Sequence, residues 1–260
     1  MCTLSVVPAE QGYLAGMNRD EKLSRAGALR PSCARHGELT ALSPREASGG
    51  TWIAGNDFGV LLALLNWHQT GGQGWGGKPR TRGSVIPQLI GAADLASMAT
   101  RLATIRLDGM LPFRLIGVFR GPSAICEWRW DGEKIAGLDF PWRRKHWFSS
   151  SCSDQMAGRV RGAACSPGRS EPEIGRPEWL RELHRSHQPE PGPFSICVHR
   201  PDAATVSYTE VECDRFSISM RYMDGAPCLR PGFDSSVQLA LRHSVARPAL
   251  ATCDPSFTAE

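Results

Sequence analysis

Met1-Cys2-Thr3-Leu4-Ser5-Val6-Val7-Pro8-Ala9-Glu10-Gln11-Gly12-Tyr13-Leu14-Ala15-Gly16-Met17-Asn18-Arg19-Asp20-Glu21 opens the chain. Alternation of period two through Thr3–Val7 and again through Tyr13–Asn18 predicts two strands. Pro8–Gly12 joins them as a hairpin. A thiol stands at the start of this hairpin and a charged cluster at its end. The small residue at position 2 lets the initiator methionine be removed, which would leave Cys2 with a free α-amine. A thiol has a reference pKa of about 8.5 and an α-amine about 7.7–8.0. On one residue, the amine serves as base for the thiol or as a cation favouring thiolate. Nucleophile activation then requires no histidine. Taken alone, Cys2 also reads as an ordinary second residue; the motifs further along decide between the two.

Outward from the hairpin, a second pair of strands is predicted at Thr51–Ala54 and Val60–Asn66, with Gly55-Asn56-Asp57 as the turn. Gly71 to Pro79 is a glycine-rich loop. Helical spacing follows at Ser84–Leu89 and Asp94–Leu102, with Asp94 as N-cap of the second. Strands return at Arg114–Phe119, Ala124–Trp130, Lys134–Leu138 and Lys145–Ser149, with Asp131-Gly132 a hairpin signal. Cys152 to Pro193 is rich in Gly, Pro, Ser and Arg and holds one predicted helix, starting near Pro177 and running Glu178–His187. Phe194–Val198, Thr205–Glu212 and Phe216–Tyr222 read as strands and Leu239–His243 as a short helix. No repeat is visible. Hairpin-linked strands with few helices define an α+β class with antiparallel sheets.

Composition narrows the function classes. Hydrophobic residues make up 41% of the 260 and charged residues 22%, so the chain is globular rather than disordered or membrane-embedded. Thirty Lys and Arg against 26 acids leave a net charge of +4, too small an excess to argue for nucleic acid. No segment approaches the roughly 18 apolar residues of a membrane span. No secretory signal is recognisable at the amino end, and the nine cysteines form no C-x-x-C pair. The expectation is a cytoplasmic protein with reduced thiols, no disulfide framework and no metal site.

Four ordered motifs carry a resemblance: Met1-Cys2, Asn18-Arg19-Asp20-Glu21, Gly49-Gly50-Thr51-Trp52 and Leu65-Asn66-Trp67. Together they resemble the NRDE family, also called the transport and Golgi organisation 2 family. Looser matches follow at Arg82-Gly83-Ser84, His146 to Ser151, Ser195-Ile196-Cys197-Val198-His199 and Thr205-Val206-Ser207. The resemblance implies an N-terminal-nucleophile hydrolase fold over residues 1–260 as one domain, a four-layer αββα sandwich of two antiparallel sheets. It is similar to Cys-type linear amidases such as penicillin V acylase and bile salt hydrolase. On that likeness Cys2 is the nucleophile, Asp20 orients it and its α-amine, and Asn66 contributes to the oxyanion hole. Asn18, Arg19, Trp52 and Ser150 then line the substrate site.

The sequence departs from the amidase pattern at two places. Met17 stands where those amidases carry Arg, and Ser149-Ser150-Ser151 where they place Asn. Bland readings stay open at each site: Arg19 and Asp20 as a structural ion pair, Asn66 as a turn residue, Trp52 and Trp67 as core or pocket-wall aromatics, His199 as a packed or surface histidine. Gly72 to Lys78 has the spacing of a phosphate loop, but Pro79 has neither hydroxyl nor N–H. Trp142 to Trp147 interleaves bases and aromatics, which reads as an exposed loop. His184 and His187 share a helix face without a third ligand. Two functions remain: a hydrolase acting on a C–N bond through Cys2, and a non-catalytic carrier of haem, acyl-CoA or lipid on the same fold. Both take a small-molecule partner; neither fixes the oligomeric state.

Overall fold

The computed structural model describes residues 2–68, 79–165 and 175–242. Strands β1 (Cys2–Ala9) and β2 (Gly12–Lys22) form the expected hairpin, longer at both ends than the alternation alone marks. Both strands are buried almost throughout because each face is covered by a different layer. Leu4, Val6, Tyr13, Ala15 and Met17 point to one side, where they meet Leu42, Ile53, Leu61, Ala63, Leu65, Ile116 and Val118. Val7 and Leu14 point to the other side and meet Trp179, Leu180 and Leu183.

Eleven further strands complete two sheets. They are β3 (Leu29–His36), β4 (Leu39–Arg45), β5 (Ile53–Asn56), β6 (Val60–Asn66), β7 (Phe113–Phe119) and β8 (Ala124–Trp130), then β9 (Ile135–Phe140), β10 (Lys145–Ser149), β11 (Ala203–Cys213), β12 (Ser217–Asp224) and β13 (Ser235–Ala240). One sheet runs β10-β1-β2-β11-β12-β13 and the other β3-β4-β5-β6-β7-β8-β9. Every pairing between named strands is antiparallel. The first sheet carries α3 (Asp154–Ala164) and α4 (Pro177–Arg185) on its outer face; the second carries α1 (Val85–Leu89) and α2 (Leu95–Thr104). Val85, Ile86, Leu89 and Met98 pack on Leu62, Leu64 and Leu115. The order is therefore helix, sheet, sheet, helix, with the largest core between the sheets.

Local chemistry explains several junctions. Asp94 caps α2 by accepting from the Ser97 N–H at 2.8 Å, the predicted N-cap. Asn56 closes the β5–β6 turn from a fully buried position. Its amide donates to the Ile90 and Ala92 carbonyls at 2.8 and 2.7 Å, and its oxygen accepts from the Phe58 and Val60 N–H groups. One side chain thus ties a hairpin to the helix layer above it. At Asp131-Gly132 the carboxylate accepts from the Glu133 and Lys134 N–H groups, and Gly132 takes a φ of 110°.

Three expectations need correction, and three elements carry no clear sequence signal. Phe194–Val198 is not a strand: the Cys197 N–H bonds Ser186 O and the Val198 N–H bonds Thr205 Oγ1, leaving no ladder to join. Leu239 belongs to β13 rather than a helix, because Val237 and Leu239 alternate onto the inter-sheet core; His243 lies outside the described residues. The α4 helix stops at Arg185, so His187 is not on it. Helix α3 was hidden by Gly158 and Gly162 and by an arginine on its buried face, although Ser153 caps it. Strand β3 carries Pro31 and a largely polar alternation, which suits the edge of the sheet, and Pro44 interrupts the apolar signal of β4 beside it. The Gly72 to Lys78 spacing lies outside the described residues.

Behind β1, a chain of polar groups fastens α4 to the sheet. Gly16 lacks the Cβ that would fall 3.0 Å from His184 Nε2, so the imidazole reaches the strand. The Asn18 amide donates to His184 O and Ile196 O, both at 2.9 Å, which fixes its oxygen as acceptor for His184 Nδ1–H at 3.1 Å. His184 Nε2 then accepts from the Ser5 hydroxyl at 3.0 Å, and Ser5 Oγ accepts from His146 Nδ1–H at 2.8 Å. Both imidazoles are neutral. Burial, with His146 as the second cause, pushes His184 down to about 3; burial, then Arg144 and Lys145, push His146 down to about 4.

Both folded values lie below the unfolded reference, so the unfolded chain takes up protons first as the pH falls. The stability these histidines contribute is complete above about pH 6.5 and is lost progressively through about pH 4. The urea midpoint is expected to fall over that range, and to fall less in His146→Gln. Equal slopes for the two proteins would contradict neutral burial of His146.

Candidate active site

Because β1 begins at Cys2, the thiol sits at the edge of the inter-sheet core, paired across to Arg19 on one side and Ser149 on the other. The Cys2 N–H donates to Ser149 Oγ at 2.9 Å. Beside the thiol lies a cavity of about 430 Å³ whose wall includes Cys2, Arg19, Asp20, Trp52, Asn66 and Arg82. Asn66 ends β6 in the opposite sheet, so the two layers each supply part of one site. Burial raises the Cys2 thiol; a backbone hydrogen bond from Asp20 and the charge of Arg19 pull the other way. The thiol is therefore held protonated unless a cation or base comes closer.

Asp20 is 2% exposed. Its Oδ1 accepts from the Thr205 hydroxyl at 2.7 Å, and its Oδ2 lies 3.7 Å from Arg161 Nη2. Burial raises its pKa, opposed first by the Arg161 charge. Arg161 is fully buried on α3. Its Nη1 donates to Cys2 O at 3.3 Å, Thr3 Oγ1 at 2.8 Å and Ser149 O at 3.4 Å, and its Nη2 to Pro193 O at 3.2 Å. One guanidinium thus ties β1, β10 and the segment after α4 around Asp20. The ion pair at this strand end is between Asp20 and Arg161, not between Arg19 and Asp20.

Arg19 points into the cavity instead. It bonds Glu46 Oε1 at 2.9 Å and Glu21 Oε2 at 3.4 Å, and its guanidinium lies 4.4 Å from the Trp52 ring centroid. Trp52 is buried, and its Nε1 has no hydrogen-bond partner among the described residues. Two site expectations do not hold in the geometry. Asn18 faces the helix layer, where its amide is engaged by His184 and Ile196, and is absent from the cavity wall. Ser150 is buried in its own loop: its N–H donates to Asp154 Oδ1 at 2.6 Å and its Oγ accepts from the Cys152 N–H at 3.3 Å. The neighbouring Ser151 lines the cavity in its place.

Three cavity or support residues escaped the sequence reading as site residues. Arg161 was one of many arginines in a glycine-rich stretch. The signal for it was the Ser153 cap, which starts a helix and places position 161 on the sheet-facing side. Arg82 and His68 line the cavity. Arg82 donates to Pro112 O at 3.0 Å, makes no ion pair among the described residues, and is lowered by burial while Cys2 draws it back up. His68 is held neutral, pushed down first by burial, and its Nε2 is without a partner among the described residues. The Trp142 to Trp147 stretch is half-buried and its second half enters strand β10, with Arg143 exposed. Trp147 is buried and donates to Glu127 Oε2 at 3.0 Å, and Lys145 Nζ lies 4.0 Å from the Phe140 ring centroid.

Two facing antiparallel sheets between helix layers, with the first residue of the hairpin at a cavity between them, define the N-terminal-nucleophile hydrolase fold. Among solved structures the chain is similar to penicillin V acylase from Agrobacterium tumefaciens, with a TM-score of 0.51 at 9% identity over 86% of each chain. Conjugated bile acid hydrolase variants from Clostridium perfringens superpose at 0.47 and 0.48, with 10% and 9% identity. Those alignments cover 94% and 95% of this chain and 97% and 100% of the other. No protein-family model matches the sequence, and no curated protein matches it. No described helix is long and apolar enough to cross a membrane.

Proposed function

We propose that the protein is a hydrolase of the NRDE type that cleaves a C–N (amide) bond, with Cys2 as nucleophile after loss of Met1. The observation that carries this reading is the convergence of Cys2, Asp20 and Asn66 on one cavity wall from two sheets. Loss of Met1 converts the Cys2 peptide N–H into an α-amine beside the thiol, and the amine takes the thiol proton. The sulfur adds to the carbonyl carbon, and the oxygen gains the negative charge. Collapse breaks the C–N bond, the leaving nitrogen takes the proton from the α-ammonium, and a thioester remains. Water then hydrolyses the thioester to a carboxylic acid and restores the thiol. Asp20, held by Thr205 and Arg161, fixes the amine; the Asn66 amide stabilises the oxyanion. Arg82, without a carboxylate ion pair among the described residues, supports a substrate that carries an anionic group.

The test is a panel of acyl amides given to chain whose intact mass confirms loss of Met1. Thiol-dependent release of amine is expected, together with an acyl adduct on Cys2. Asn66→Ala is expected to lower kcat by about 10²–10³-fold with a small change in KM. An unchanged kcat would remove Asn66 from the oxyanion site. The engagement of Ser150 within its own loop favours a second reading, a carrier of haem, acyl-CoA or lipid. Under that reading a ligand is retained by Cys2→Ala and no amide is turned over.

A further inference from the structure

We propose that His187, Cys197, His199 and Cys228 bind one zinc ion as a closed site, apart from the Cys2 cavity. None of the four lines that cavity. One ligand atom from each lies within 4.8 Å of all the others. Cys197 Sγ is 3.5 Å from Cys228 Sγ and 3.7 Å from His199 Nε2, and His199 Nε2 is 3.2 Å from Cys228 Sγ. Zinc bonds of about 2.3 Å to sulfur and about 2.0–2.1 Å to nitrogen put the corners of a tetrahedron about 3.3–3.8 Å apart. The spacings among these three atoms match to within about 0.4 Å.

The fourth corner is also prepared. The His187 and His199 rings stand edge to face with centroids 5.0 Å apart, and His187 Nε2 is a buried atom with no hydrogen-bond partner among the described residues. Without an ion, that nitrogen is left without a partner among the described residues, at a net cost. With one, two thiolates and two neutral imidazoles neutralise the dication and every donor atom is used. A tetrahedral S₂N₂ set selects zinc over harder cations, and four protein ligands leave no open position, so the site is structural.

No C-x-x-C pair announces it, because the ligands come from three places. His187 follows α4, Cys197 and His199 alternate along the segment after it, and Cys228 lies in the 3-10 turn Pro227–Leu229. The Cys197 N–H bond to Ser186 O, at 3.0 Å, sets the first two stretches side by side. The clamp reaches the candidate active site through one residue. The Val198 N–H donates to Thr205 Oγ1 at 2.8 Å, and the Thr205 hydroxyl donates to Asp20.

Full-length chain purified without chelator or reductant is expected to carry one zinc ion through gel filtration, read by elemental mass spectrometry. Replacement by Co²⁺ is expected to give thiolate-to-cobalt charge-transfer absorption and the strong ligand-field bands of a tetrahedral centre. Cys228→Ser should lose part of the charge-transfer intensity. His187→Ala lies in coil at a part-exposed position and keeps the fold by circular dichroism. It should weaken zinc binding by more than the about 10–100-fold typical of groups that only support a ligand. A chain that neither carries nor takes up zinc overturns the proposal. So does a cobalt spectrum without a thiolate band, or a Cys197–Cys228 disulfide in metal-free chain.

Discussion

Cys2→Ala is expected to abolish amide turnover, lowering kcat/KM by about 10³-fold or more, while leaving the urea midpoint nearly unchanged. Stability should hold because Cys2 stands at the rim of the core, where the sulfur borders the cavity rather than filling a closed void. Cys2→Ser is the sharper variant: it keeps the shape and supplies an oxygen nucleophile far weaker at neutral pH. In the parent chain, alkylation of Cys2 is expected to accelerate as the pH rises, since burial raises the thiol and thiolate forms only at higher pH. Loss of Met1 should shift that acceleration to lower pH, because the new α-ammonium favours the thiolate. Unaltered turnover in Cys2→Ala would dismiss Cys2 as the nucleophile; absence of turnover in the parent chain, with a ligand retained by Cys2→Ala, would leave the carrier reading.

Arg161→Met should produce the largest loss of stability of any substitution at the site, about 3–5 kcal/mol. The guanidinium is fully buried and serves Cys2, Thr3, Ser149, Pro193 and Asp20 at once, so its removal strands carbonyls and a buried carboxylate together. The loss has a pH signature. Asp20 is already raised by burial and would rise further without Arg161, so the penalty should be greatest near neutrality and shrink in acid as Asp20 takes up a proton. Chemical denaturation at two pH values measures both parts. A loss below about 1 kcal/mol, the scale of an exposed ion pair, would mean that Asp20 is neutral or otherwise compensated.

Where both faces of an element are coded locally, the sequence reading located it. The Thr3–Val7 and Tyr13–Asn18 alternation, the Asn56 turn, the Asp94 cap and the Asp131-Gly132 hairpin are each decided by neighbours in the chain. What stayed hidden depends on residues far away. Strand β3 lies at a sheet edge with little apolar signal, and β4 beside it carries Pro44 within its run. Helix α3 buries a guanidinium where a pattern search expects an aliphatic side chain. Phe194–Val198 has strand-like alternation, but its N–H groups are claimed by Ser186 and by the Thr205 hydroxyl.

The candidate site divides the same way. Cys2, Asp20, Asn66, Arg19 and Trp52 were legible from the motifs and meet at the cavity. Asn18 was misplaced because a strand alternates: its side chain turns to the helices, while Asp20, at the strand end, engages Arg161 on α3 and still borders the cavity. The Ser153 cap marks the helix that carries Arg161, but its partners and the His187–Cys228 cluster are brought together across separations that no local spacing records.

The bond from the Cys2 nitrogen to Ser149 has a bearing on how such a protein is born. On the proposed mechanism that nitrogen is also the base, and Cys2 lies at the wall of the cavity. Removal of Met1 would then create the base at the place where the scissile amide must arrive, so that one cut would switch on both chemistry and access.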